Sequence, residues 1–146
     1  CSKAKSILPL DLFIYEYRIG DVTQSVSAEN QLKRIGHTET VLKRMTAEGK
    51  DFTGAASLYC AKKTHLLLLS FLVTSLLCDK DRKAGRKRAD EMMSFMDKEY
   101  HTVYEMSRKH CKILKTLNRL HIGLNGYNKI LNSKLYNKVR HNKSFD

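Results

Sequence analysis

Apolar side chains recur every three or four residues along most of the chain, which is the spacing of one face of an α-helix. No stretch shows the alternation of apolar and polar residues that is typical of a half-buried strand. Small and polar residues interrupt the helical pattern at intervals and mark helix ends. The pattern predicts an all-α bundle of about six to eight helices. Three short helices are expected in the first third, over residues 9–20, 21–36 and 38–49.

The most apolar part of the chain, residues 66–77, is expected to form the centre of the bundle. Thr53 is a suitable cap for the helix that contains it, and apolar positions lie on nearly every side of that helix. The stretch includes Ser70, Thr74 and Ser75 and is shorter than the roughly 20 apolar residues that cross a bilayer. We therefore expect a buried core helix and no membrane span.

A long helix is predicted over residues 86–122, which contain no glycine or proline. Its apolar positions follow alternating steps of four and three residues, but the pattern falters at Ser107 and His110, and a kink is expected there. Gly85 precedes this helix in a densely charged stretch and is expected to form the corner of an antiparallel helical hairpin. A last amphipathic helix is predicted over residues 127–140.

The four cysteines, Cys1, Cys60, Cys78 and Cys111, add a covalent prediction. Cys60 and Cys111 are almost equally far from Gly85 along the chain, so a hairpin about Gly85 would bring their sulfurs together. Pairing Cys60 with Cys78 would instead span roughly 27 Å of one helix, against a limit of about 7 Å between bridged Cα atoms. We predict a disulfide-stapled bundle with the bridges Cys60–Cys111 and Cys1–Cys78, which would form outside the reducing cytosol. Four unrelated buried thiols are the alternative.

The net charge of +12 is concentrated in the second half of the chain, where residues 80–146 contribute +10. Such an asymmetry predicts an electropositive face and an acidic partner, which could be nucleic acid, a sulfated glycan, an anionic membrane or an acidic protein segment. The densest run of cations is a candidate site for an anionic partner, with a solvated helix corner as the alternative; it comprises Arg82, Lys83, Arg86, Lys87 and Arg88. The exposed face of the last two helices is a second candidate. Aromatic residues are not interleaved with these cations, so no specific nucleic-acid binding is expected.

Candidate catalytic chemistry is sparse. The six histidines form no HExxH pair and no CxxC accompanies them, so a zinc site has little support. His110 and Cys111 are adjacent in sequence and diverge by about 100° around a helix, which does not suit a base and its nucleophile. No glycine-rich phosphate loop occurs. We expect a non-enzymatic protein without cofactor or metal.

The chain is expected to form one domain over residues 1–146. It begins at Cys1, without the long apolar run of a signal peptide, and so suggests a fragment or processed form of a longer secreted protein. Three segments resemble the C-terminal domain of the mosquito salivary 30 kDa antigen family, the aegyptin and anopheline antiplatelet protein group. They are residues 11–21 (DLFIYEYRIGD), residues 36–44 (GHTETVLKR) and the hydrophobic span from Cys60 to Cys78.

This resemblance implies a secreted salivary protein that binds collagen and blocks platelet adhesion and aggregation, and so impairs hemostasis without catalysis. Family members also carry an acidic, glycine-rich N-terminal region, which implies an acidic extension as a second partner for the basic domain. A secreted helical cytokine-like ligand shares the bundle and the lack of catalytic residues. A basic heparin-binding or nucleic-acid-binding protein shares the charge. Both remain alternatives.

Overall fold

The computed structural model describes residues 28–133, and every regular element in that range is helical. The all-α prediction is therefore confirmed for this part of the chain. The helix predicted over residues 9–20, and the part of the last helix beyond residue 133, lie outside the described residues. The elements in chain order are α1 (Ala28–Lys33), α2 (Ile35–Gly49), α3 (Gly54–Val73), a π-helical segment (Thr74–Cys78), α4 (Arg82–Glu99), α5 (His101–Arg119) and α6 (Leu124–Leu131).

Helices α2 to α5 run alternately up and down and form a four-helix arrangement. Two hydrogen bonds fix the direction of α5 relative to α3: His65 Nδ1 lies 2.8 Å from Ser107 Oγ, and Asn118 Nδ2 donates to the Leu76 carbonyl oxygen at 2.6 Å. In each pair the two residues are 42 positions apart in sequence. Because this offset stays constant along the helices, α5 runs parallel to α3 and to its π-helical continuation. Helix α4 follows the π-helical segment in the chain and packs antiparallel against α5.

The corner predicted at Gly85 is wrong in position, because Gly85 lies inside α4: the chain reverses before it, between Cys78 and Arg82, and reverses a second time at Tyr100. Tyr100 has φ −150° and ψ 67°, which separates α4 from α5. Its ring lies over Gly49 of α2, where a Cβ would approach the ring to 3.0 Å. The single helix predicted over residues 86–122 is therefore two helices, and the break comes before the expected kink at Ser107 and His110. Both of these residues lie within α5.

The reversal at Tyr100 also explains why the predicted Cys60–Cys111 bridge is wrong. With α5 parallel to α3 at a constant offset, Cys111 lies about nine residues, or roughly 13 Å, further along the bundle axis than Cys60. Cys60 lines a cavity beside α2, whereas Cys111 lines a cleft against α4. Both thiols are free, and so is that of Cys78, so the structure does not support the Cys1–Cys78 bridge either. Cys1 itself lies outside the described residues.

The predicted core helix is confirmed. Residues 66–77 supply the centre of the hydrophobic core, although Leu66 itself faces solvent and is 59% exposed. By length and composition alone, the helical run Gly54–Cys78 is apolar enough to cross a membrane, and half of its most apolar window is buried within the protein. A core helix of a soluble bundle passes the same test. The largest wholly buried side chains of this run are Leu68, Phe71, Leu72 and Leu76.

The start of α3 lies where the sequence predicts it, whereas one predicted helix end is wrong. Thr53 precedes α3 as predicted, with an extended backbone but no side-chain capping bond. Asp81 caps α4, since its Oδ1 accepts 3.0 Å hydrogen bonds from the amides of Lys83 and Ala84. Gly36, expected to end a helix, instead lies inside α2.

Candidate interaction surface

The predicted cation cluster at residues 82–88 is largely used within the fold. Arg82 Nη1 donates to the Leu76 carbonyl oxygen at 3.1 Å, and Arg86 Nη1 donates to Asn118 Oδ1 at 2.5 Å. Because Asn118 also donates to Leu76, these four residues form one hydrogen-bonded network between the π-helical segment, α4 and α5. Both arginines are half-buried. They hold three elements together and present little of their charge to a ligand.

Of the other three cations of the cluster, one is engaged within the fold and two are exposed. Arg88 is half-buried and forms a 3.1 Å ion pair with Asp79, whose side chain is only 13% exposed. Lys87 is exposed and lies 3.9 Å from Glu91. Lys83 is also exposed. The structure therefore brings the predicted site residues together at one end of the bundle, but only the two lysines face solvent.

A different surface stands out by its exposed apolar side chains. Leu58, Tyr59 and Leu66 on α3, Ile113 on α5 and Leu120 at its end are each more than half exposed. In the described range Ile130 in α6 is a further exposed large apolar residue, at 42%. Because α3 and α5 run side by side, most of these residues share one side of the bundle. We call this the α3/α5 face and define it as Leu58, Lys62, Leu66, Lys109, His110 and Ile113.

The α3/α5 face is positive. No aspartate or glutamate occurs in the run Gly54–Cys78, and the acidic residue of α5, Glu105, forms a 3.0 Å ion pair with Arg108. Lys62 and Lys109 are exposed, and neither forms an ion pair within residues 28–133. Apolar residues and uncompensated cations thus lie together. The sequence did suggest the exposed face of the later helices, but it gave no reason to add α3, which was expected to be buried all round.

Beside this face lies a polar cluster that joins α3 to α5. Ser107 is wholly buried and hydrogen-bonds to His65, whose ring centroid lies 6.0 Å from that of His110. Burial, and secondarily the charge of His110, lowers the pKa of His65. The hydrogen bond between His65 and Ser107 therefore joins α3 to α5 inside the bundle. The faltering apolar pattern at Ser107 was the sequence signal for this contact.

No group of three or more histidine, cysteine, aspartate or glutamate side chains within residues 28–133 is arranged to hold a metal ion. Most of the acidic residues of that range instead form ion pairs with lysine, arginine or histidine. One example is Asp97, which lies 2.8 Å from His101 on the next helix. The charged groups of the described bundle thus act mainly as surface pairs and as the network around Leu76.

The comparisons with known proteins give no match. No family model, no curated protein and no solved structure matches the chain. The resemblance to the salivary antigen family therefore stays a prediction. What the protein binds has to be inferred from the α3/α5 face.

Proposed function

We propose that the protein is a non-enzymatic binding protein that sequesters an acidic protein ligand on its α3/α5 face. The observation that carries this proposal is that exposed leucine and isoleucine side chains lie beside Lys62 and Lys109, which form no ion pair within residues 28–133. Folded monomeric proteins rarely leave large contiguous apolar surfaces uncovered, and larger patches mark interaction sites. A ligand that offers apolar side chains between carboxylates would complement both properties.

The charge of the protein itself argues against self-association through this face. A symmetric dimer would place the same patch of each copy against the other, so Lys62 and Lys109 of each copy would meet the lysines of the other. With a net charge of +12, two copies also repel each other at longer range. A ligand of opposite charge avoids both costs.

Collagen is the specific ligand that the family resemblance implies, with secretion and inhibition of platelet adhesion as its consequences. An apolar face with flanking lysines is compatible with such a ligand, because apolar contacts keep their strength in salt. The acidic extension implied by the same resemblance would also be attracted to this face. Heparin and nucleic acid are polyanions, and binding to them should weaken steeply as salt rises.

A solid-phase assay with fibrillar collagen, an acidic amphipathic peptide, heparin and DNA over a salt series tests the proposal. The double variant Leu66→Gln/Ile113→Gln removes the apolar part of the face, and Lys62→Glu/Lys109→Glu reverses its charge. We expect each double variant to weaken binding of the true ligand at least roughly tenfold, because both contributions are needed.

The matched control is Lys83→Glu/Lys87→Glu, which makes the same change in net charge at the exposed lysines of the cluster at residues 82–88. It should leave binding on the α3/α5 face nearly unchanged. If this control abolishes binding while the two α3/α5 variants bind normally, the cluster at residues 82–88 is the binding surface and our proposal is wrong. Retention on heparin or DNA alone, lost at moderate salt, would support the polyanion alternative instead.

A further inference from the structure

A surface cavity of about 540 Å³ lies between α2 and α3, on the side of α3 that faces away from α5. This volume falls in the range of sites that bind small organic molecules, roughly 300–1,000 Å³. Its walls are mostly apolar and come from both helices and the turn that joins them. The apolar lining residues are Met45, Phe52, Ala56 and Tyr59.

One polar side chain in the wall has no partner. Thr64 is wholly buried, it lines the cavity, and its hydroxyl forms no hydrogen bond within the described structure. Buried hydroxyl groups in folded proteins are nearly always hydrogen-bonded, since an unpaired one loses its water without replacement. A ligand that carries a hydroxyl or carbonyl group into the cavity would provide the missing partner.

The charged residues at the rim of the cavity indicate which charge the ligand carries at its outer end. Glu48 lines the cavity but is engaged by Arg44, whose Nε lies 3.1 Å from its Oε1. Lys63 also lines it, with its Nζ 5.4 Å from the centroid of the Tyr59 ring, and forms no ion pair within residues 28–133. The uncompensated charge at the rim is therefore positive.

We propose that this cavity binds a small amphipathic carboxylate. Its carboxylate pairs with Lys63 at the rim, its apolar body packs between Met45, Phe52 and Tyr59, and a hydrogen-bonding group on that body reaches the Thr64 hydroxyl. This site is separate from the α3/α5 face, so either one can be lost without the other.

Calorimetric titration of the full chain with octanoate, 8-hydroxyoctanoate and neutral octanol, all below micellar concentrations, tests the site. We expect 8-hydroxyoctanoate to bind roughly fivefold to tenfold more tightly than octanoate, because its terminal hydroxyl pairs with Thr64. In the isosteric Thr64→Val variant the two carboxylates should bind equally. Lys63→Gln should weaken binding of both carboxylates but not of octanol, whereas Lys112→Gln, at an exposed position of α5 outside both sites, should change neither.

A second measurement locates the bound molecule. Cys60 lines the same cavity, so bound 8-hydroxyoctanoate should slow its alkylation by N-ethylmaleimide, as followed by peptide mass mapping, without slowing that of Cys78. Absence of binding, or binding that neither protects Cys60 nor depends on Thr64 and Lys63, would overturn the proposal. Protection together with loss of the hydroxyl preference in Thr64→Val would support it.

Discussion

The wholly buried side chain of Asn118 in α5 donates a 2.6 Å hydrogen bond to the carbonyl oxygen of Leu76 in the π-helical segment. A π-helical turn shifts the backbone hydrogen-bonding register by one residue, which alters the pairing of carbonyl groups near a helix end. Arg82 donates to the same carbonyl oxygen, and Arg86 donates to the oxygen of the Asn118 amide. The irregular end of the core helix is therefore stabilised by side chains from two other helices.

Replacing Asn118 by leucine should destabilise the protein by about 1–3 kcal/mol, because Arg86 loses its acceptor and Leu76 loses one of its two donors. Urea unfolding followed by circular dichroism measures the free energy of unfolding. Asn128→Leu on exposed α6 is the matched control and should change stability by less than about 0.5 kcal/mol. Equal stability of the two variants would show that the network contributes nothing.

Gly85 packs against the π-helical segment so closely that a Cβ atom would collide with the Ser75 carbonyl oxygen. Gly85→Ala must therefore move α4 away from that segment, and we expect a loss of roughly 1–3 kcal/mol or more. Gly36 is also helical, but a Cβ there would meet nothing within 4 Å, so Gly36→Ala should stabilise by up to about 1 kcal/mol. Thermal unfolding of both variants checks the opposite signs. A stable, well-packed Gly85→Ala protein would contradict the close approach.

The fold class was predictable because helical periodicity is a local property of the sequence. Residues 66–77 are apolar on nearly every side, which indicates a core helix whatever its neighbours are. The position of the second chain reversal, at Tyr100, was not predictable in the same way. Residues near Tyr100 include no glycine or proline, and the break there depends on how the Tyr100 ring packs against Gly49 of a distant helix.

The missed second reversal accounts for the wrong Cys60–Cys111 prediction. The disulfide prediction assumed that Gly85 was a corner, whereas that glycine is a contact point inside α4. The cation cluster was predicted from its charge density, and sequence does not show that Arg82 and Arg86 have buried acceptors. Exposure of Leu66 was equally hidden, because a helix that is apolar all round gives no sign of which side the neighbouring helices leave uncovered.

The free thiols should differ in reactivity. Burial raises the pKa of Cys111, whose side chain is almost inaccessible, and burial also raises the pKa of Cys78. Since the thiolate is the reactive form, Cys111 should react with iodoacetamide roughly tenfold or more slowly than Cys60 in the native protein. Peptide mapping after timed alkylation measures both rates, with urea-unfolded protein as the control in which they become similar. Equal native rates would contradict the burial of Cys111.

His65 should make the stability of the protein depend on pH. Burial and the nearby charge of His110 lower the pKa of His65 in the folded state below its ordinary value of about 6.5. As the pH falls below about 6.5, the unfolded chain binds a proton at this position before the folded protein does, so the free energy of unfolding decreases. Above about pH 6.5 both states are neutral and the stabilising contribution is complete.

Urea unfolding of the wild type and of His65→Gln between pH 7 and pH 5 isolates this effect from the other histidines. The wild type should lose stability more steeply over this interval than the variant, whatever the stability offset at pH 7. The exposed His37→Gln variant is the control and should follow the wild-type slope more closely than His65→Gln does. If the curves of the wild type and His65→Gln stay parallel, burial and the charge of His110 do not lower the pKa of His65 in the folded protein.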